Sequence, residues 1–338
     1  MINFLFLIFS TYFTLFFVVQ NETCSKKITP SHGYLFLLFF ILVLFSVIKP
    51  DNIADYISYK LFYKHMDKVL EQRLEPTAFL IRYISPNFYI FLLIYASISI
   101  SIKLVAIDKV ATFPFFSIIT YLSTSYILHD LVQIRISCSI AIFLLALSYL
   151  AKGNRVKYFL LIAVACLFHK SAGVYFIFIF FNPNSYNKWF WTFFVIFTYF
   201  IGFIGFDFLK LISYILPDNS YYYMSIIDKV NENNIDLFSI NQLLCLTVFL
   251  LLSMNLKKVQ NKYVIIYLKV FVCSISILPL LKSLTLVASR FSEMLRPSII
   301  FLLPELIFVT NKKSVGYIIF LIFCFMFAFL NNFYYSVM

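Results

Sequence analysis

Long apolar runs separated by short polar connections dominate this chain. They lie at about 2–19, 33–48, 86–106, 111–128, 132–151, 156–168, 171–183, 188–206, 237–255, 263–282, 295–310 and 314–331. A bilayer core about 30 Å thick takes about 20 apolar residues of α-helix, so each run reads as a membrane helix or a good part of one. Nothing alternates apolar and polar with the period of two that a barrel strand needs. The pattern predicts an all-α polytopic integral membrane protein of about 12 transmembrane helices, built as a single transmembrane domain over 1–338. The first run lacks a basic start and a small-residue cleavage site, so it reads as a retained span.

Two connections are long, 49–85 and 207–236. Long loops in compact domains are usually functional or disordered. In the first, Ile53, Tyr56, Ile57, Leu61 and Phe62 recur at helical spacing and predict an amphipathic helix lying in the interface. Pro76 and Pro86 bracket a further short apolar piece, which could be re-entrant. The runs 156–168 and 171–183 could form one helix with His169 at its middle. Two short helices meeting at His169-Lys170 suit the charge distribution better. Each spans only about 20 Å at 1.5 Å per residue, so their junction should lie below the membrane surface.

Composition agrees with the pattern: 62% of residues are hydrophobic and 12% charged, against about 45–50% and about 25% in soluble domains. So few charges cannot enclose so apolar a core, and lipid must serve as part of the solvent. The net charge of +12 is spread over short clusters between runs. It forms no basic stripe, which argues against nucleic acid. Those clusters instead report topology. Alternate connections carry Lys26, Lys27, Lys103, Lys109, Lys152, Arg155, Lys157, Lys188, Lys257, Lys258, Lys262, Lys312 and Lys313 against only Glu22 and Asp108, a net +11. The opposite connections net +1. The positive-inside rule makes the first set cytoplasmic and turns both termini outward. The protein is thus expected in the cytoplasmic (inner) membrane. Of six cysteines, five sit in apolar runs without metal-ligand spacing and read as small hydrophobes.

Polar residues that could do chemistry then gather on the outer side. Asp51, Asp55-Tyr56 and Glu75-Pro76 follow the second run. Carboxylates there could bind sugar hydroxyls or act as a base, or simply balance the loop's lysines. Arg135, in His129-Asp-Leu-Val-Gln-Ile-Arg135, falls inside an apolar run, where a charge is expensive and marks function by default. Its plainer role is to snorkel outward. His169 has the chemistry of a general base near neutral pH, and Lys170 beside it could meet a phosphate. Arg290, Glu293 and Arg296, three residues apart, share a helix face, with Glu293 able to hold both arginines. Three arginines and a lysine at one cavity ask for an anion, and a pyrophosphate fits. No paired-aspartate motif suggests a metal, and no cofactor is expected.

In order and spacing these features resemble the Wzy/EpsG-type polysaccharide polymerases. The resemblance rests on Lys26-Lys27, Asp51 with Asp55-Tyr56 and Tyr59, Glu75-Pro76, Arg135 with Ser139 and Ala141, His169-Lys170-Ser171-Ala172, and Arg290-Phe-Ser. Lys49-Pro50 and Asn52-Ile53-Ala54 stand where the family often carries Arg and Gly. The resemblance implies a metal-independent glycosyltransferase in O-antigen polymerisation. It would move a growing glycan from undecaprenyl pyrophosphate to a lipid-linked repeat unit. A chain-length regulator is a further implied partner. In these roles His169 is the base, with Asp55 as competitor. Arg135, Arg290, Arg296 and Lys170 hold the pyrophosphate, while Asp51, Tyr56, Glu75 and Glu293 hold sugar. A transporter or flippase for lipid-linked sugars would want the same cavity but polar residues through both membrane halves. A multi-span sugar acyltransferase would use an intramembrane His with a cytoplasmic donor.

Overall fold

The computed structural model describes residues 32–49, 53, 55–65, 75–206, 236–259 and 261–337. The first apolar run, Lys26-Lys27, Asp51 and most of the 207–236 loop lie outside these residues. Helices follow one another along the chain, with no strand among the described residues: α1 His32–Val47, α2 Tyr56–His65, α3 Pro76–Ile84, α4 Phe88–Val110, α5 Pro114–Val132, α6 Ile134–Ala151, α7 Arg155–Phe168. After a 3-10 stretch over Lys170–Phe180 come α8 Lys188–Ile204, α9 Ile240–Asn255, α10 Val264–Leu280 and α11 Thr285–Leu295. Two 3-10 segments, Arg296–Phe301 and Leu303–Phe308, then lead to α12 Lys313–Val337.

Five of the described helices, α4, α5, α6, α9 with its 3-10 extension to Lys258, and α12, are long and apolar enough to cross a membrane; four apolar helices are shorter. The outer faces suit lipid: Trp189, Phe193 and Phe203 on α8 are all exposed. This is a multi-pass membrane protein. Among the described residues the runs do not all form membrane-length helices, so about 12 transmembrane spans are not seen as such. The 295–310 run is not one α-helix. Pro297 and Pro304 each open a 3-10 segment, because proline removes a donor and clashes one turn back. The 156–183 run breaks at His169, whose backbone is extended (φ −156°, ψ 121°), giving the expected pair of short limbs.

The bundle has two chemically distinct ends. At one, Asn261 Nδ2 donates to the Val110 carbonyl at 3.0 Å and Thr112 Oγ1 to Glu305 Oε1 at 2.8 Å. Lys258 Nζ reaches the Val309 carbonyl and Asn311 at 3.0 and 3.2 Å. Tyr186 OH bonds Ser253 at 3.1 Å. The connections holding Lys109, Lys188, Lys257, Lys258, Lys262, Lys312 and Lys313 therefore share an end. The α6–α7 turn, with Lys152, Arg155 and Lys157, lies one helix length from Arg135 and from His169.

Lys103 departs from its expected place in a lysine-bearing connection. The α4 helix runs to Val110, so Lys103 lies within it, fully buried against Asp130 at 2.6 Å. Moving both residues out of the loop tallies leaves +10 against +2, so the charge bias survives.

Close packing sets one glycine. A Cβ on Gly316 would overlap the Ile307 backbone, so α12 and the 303–308 turn touch through that glycine. Overpacking of this kind costs about 1–3 kcal/mol. Gly316→Leu should lower the melting temperature of the detergent-purified protein, whereas Gly33→Leu, where nothing lies within 4 Å, should not.

Candidate active site

The site opposite the lysine end begins with Glu75-Pro76. A residue before proline is driven out of the α region, and Glu75 is extended (φ −72°, ψ 139°) at the N-cap of α3. A cap carboxylate ordinarily accepts from the first helical turn, but that of Glu75 does not. It faces α6 and α7 instead. Oε2 accepts from Arg135 Nη1 at 2.7 Å, and Oε1 lies 3.0 Å from His169 Nδ1. Burial works to raise the Glu75 pKa, but the His169 hydrogen bond and the Arg135 charge outweigh it and bring it down to about 2. Its stabilising contribution is therefore complete above the ordinary value near 4.5 and is lost as pH falls toward about 2.

Each partner is held by its own element. Arg135 is in the first turn of α6 because α5 ends at Gln133, whose N–H bonds Leu128 in a wide i→i+5 turn of 3.0 Å. Its guanidinium faces the Tyr59 and Phe62 rings of α2 at 5.7 and 5.5 Å. His169 is the apex of the α7 hairpin, and Thr77 Oγ1 ties the start of α3 to the Leu167 carbonyl at 2.7 Å. Tyr175 of the 3-10 stretch stacks on Phe143 of α6 at 3.8 Å and donates to the Met294 carbonyl of α11 at 3.3 Å. Three site-bearing elements thus share one aromatic strut.

The resulting cleft has a volume of about 260 Å³. Asp55 and Tyr59 line it from the start of α2, Gln133, Arg135 and Ile136 from the start of α6, His169 and Ser171 from the hairpin, and Arg290 and Met294 from α11. Asp55 holds φ 64°, a left-handed conformation that Asp tolerates better than most residues, and its carbonyl accepts from Tyr59 at the first turn of α2. Glu293 lies 3.7 Å from Arg290 and accepts from Gln133 Nε2 at 3.1 Å.

Four predicted residues, Asp55, Arg135, His169 and Arg290, therefore meet in one cleft, with Glu75 and Glu293 bonded to its arginines. Others do not reach its walls. Arg296 starts a 3-10 turn and donates back to Ser292 Oγ of α11 at 3.2 Å. Lys170 is exposed at the apex, and Tyr56 is buried edge-on against Phe88. Asp51 lies outside the described residues. Two guanidiniums, each beside a carboxylate, replace the expected surplus of four cations. Tyr59 and Gln133 were not assigned to the site from sequence. Tyr59 had a signal, standing one turn after Tyr56; the uncharged Gln133 had none.

Below the cleft lies a second polar cluster. Asp130 accepts from Lys103 Nζ and Ser99 Oγ at 2.6 Å, and from Tyr121 OH and Ser137 Oγ at 2.7 Å. Asp130 is thus the partner of Lys103, while Arg135 pairs with Glu75.

Chemically, the cleft combines an imidazole, two planar cations and an exposed carboxylate. In a neutral His169 ring the carboxylate can only accept, so Nδ1 carries the proton and Nε2 keeps its lone pair. Guanidinium groups bind phosphate oxygens in pairs and stay charged. Compared with known proteins, residues 32–338 match the model of the EpsG family. No curated protein and no solved structure matches.

Proposed function

The chain belongs to the EpsG family, and from that premise we propose that it polymerises lipid-linked oligosaccharide repeat units. The reaction runs on the outer face of the cytoplasmic membrane and builds an O antigen. The positive-inside rule turns the lysine end inward and the cleft outward. A growing glycan on undecaprenyl pyrophosphate is the donor, and a repeat unit on the same lipid is the acceptor. His169 Nε2 takes the proton of an acceptor hydroxyl as its oxygen bonds to the donor's anomeric carbon. The anomeric bond to the pyrophosphate oxygen breaks, and undecaprenyl pyrophosphate leaves between Arg135 and Arg290. Cations fixed there before reaction stabilise the developing charge. Asp55, exposed in the same cleft, meets sugar hydroxyls. No metal has a role in this reading.

One observation carries it: a carboxylate-bound imidazole and two arginines, from three separate segments, line one cleft. Cells with the gene should display a ladder of lipid-linked repeats, and cells without it a single repeat. A ladder that persists in its absence would sink the proposal. Arg135→Lys keeps charge but loses the planar fork. It should shorten or abolish polymer while protein level stays normal; wild-type polymer length would remove Arg135 from the site.

A further inference from the structure

Glu75 is set back from the cleft that Arg135 and His169 line. Its side chain is 8% exposed, and it does not line the cleft. Each oxygen has a cationic or imidazole partner, Arg135 Nη1 on one and His169 Nδ1 on the other. Pro76 limits its backbone to the extended region. The Thr77–Leu167 bond fixes α3 against α7 two residues from each member of the pair. Such a carboxylate sets which ring nitrogen carries the proton and where the other points.

We propose that Glu75 is a positioning residue that holds His169 as its Nδ1–H tautomer, aims Nε2 into the cleft, and keeps Arg135 aligned beside it. The inference rests on the reading of His169 as the base. While Nε2 takes the acceptor's proton, the Nδ1–H bond to Glu75 stays in place and the carboxylate stabilises the imidazolium formed. The charged groups around the ring are Glu75 at the start of α3, bonded to Arg135 on α6, and Asp55 before α2 and Arg290 on α11, which line the same cleft, with Glu293 paired to Arg290 and Lys170 exposed next in sequence. Glu75 is the acid in direct contact.

The test compares wild type, Glu75→Gln and Glu75→Asp as full-length protein in nanodiscs, with a synthetic polyprenyl-pyrophosphate-linked repeat unit. In Glu75→Gln, kcat should fall at least about tenfold with KM not raised. The acidic limb of the rate profile should move to lower pH, because the lost carboxylate no longer favours the imidazolium. Glu75→Asp should recover part of the rate. Nitrogen NMR of labelled histidine should show the Nδ1–H form of His169 in wild type and a mixture in Glu75→Gln, a readout that also confirms folded protein. Unchanged kcat and pH profile overturn the proposal. So does a raised KM with an unshifted profile, which would make Glu75 a sugar ligand. His169→Ala separates the two levels of argument. If it retains wild-type rate, the base assignment falls. If it is inactive while Glu75→Gln behaves as wild type, only the positioning role falls.

Discussion

Asp130→Asn should leave little folded protein in the membrane. The substitution keeps shape and several hydrogen bonds but strands the Lys103 charge, which is fully buried beside it. Removing one partner of a buried pair costs about 3–5 kcal/mol, a large share of the roughly 5–15 kcal/mol that holds a typical domain together. The cluster also joins α4, α5 and α6 through Ser99, Tyr121 and Ser137. Its loss would loosen the break at Gln133 that presents Arg135. Removing both charges, with Lys103→Met and Asp130→Leu, should restore most accumulation, because the cost lies in the unpaired ion. Gel-filtration profiles and melting curves in detergent decide the matter. A single variant that accumulates and melts like wild type would mean that water or lipid already compensates the pair.

His169→Ala should lose polymerising activity by about 100- to 10,000-fold, the usual worth of a general base. The protein should still fold. The His169 side chain is only partly buried, and the hairpin apex is held by backbone bonds from His169 to Ala165 and from Ala172 to His169. Normal yield without a polymer ladder is the expected outcome. His169→Gln should be equally inactive, because an amide fills the space without accepting a proton. Substantial activity in both variants would pass the role of base to Asp55, and Asp55→Asn would then be the inactive one.

Much of the fold was legible because membrane helices are written as plain apolar runs. The break at His169 was legible too, since two runs of about 13 residues flank a polar pair and the lysine pattern rejects a single helix. Lys103 misled because it stands near the end of its run, where loop and helix look alike. Only the tertiary partner Asp130, 27 residues later, shows that the charge is buried. The Glu75–Arg135 pair is equally non-local, 60 residues apart, and neither residue's neighbours announce it. Spacings of three put Arg290, Glu293 and Arg296 on one face of an ideal helix. Pro297 ends that helix after Leu295, and Arg296 leaves the face the other two share.

The 3-10 limb after His169 sets the reach of the hairpin. A 3-10 helix rises about 2.0 Å per residue against about 1.5 Å in an α-helix, so Lys170–Phe180, at eleven residues, extends about 5 Å further than the same segment wound as α. Its length comes close to that of the α7 limb, and the apex stands level between them. Rewinding the segment would draw the ring away from Glu75 by more than a hydrogen bond can stretch. The pitch of eleven residues thus acts as a spacer, and substitutions that favour α-helical winding there should weaken the reaction without touching any group in the cleft.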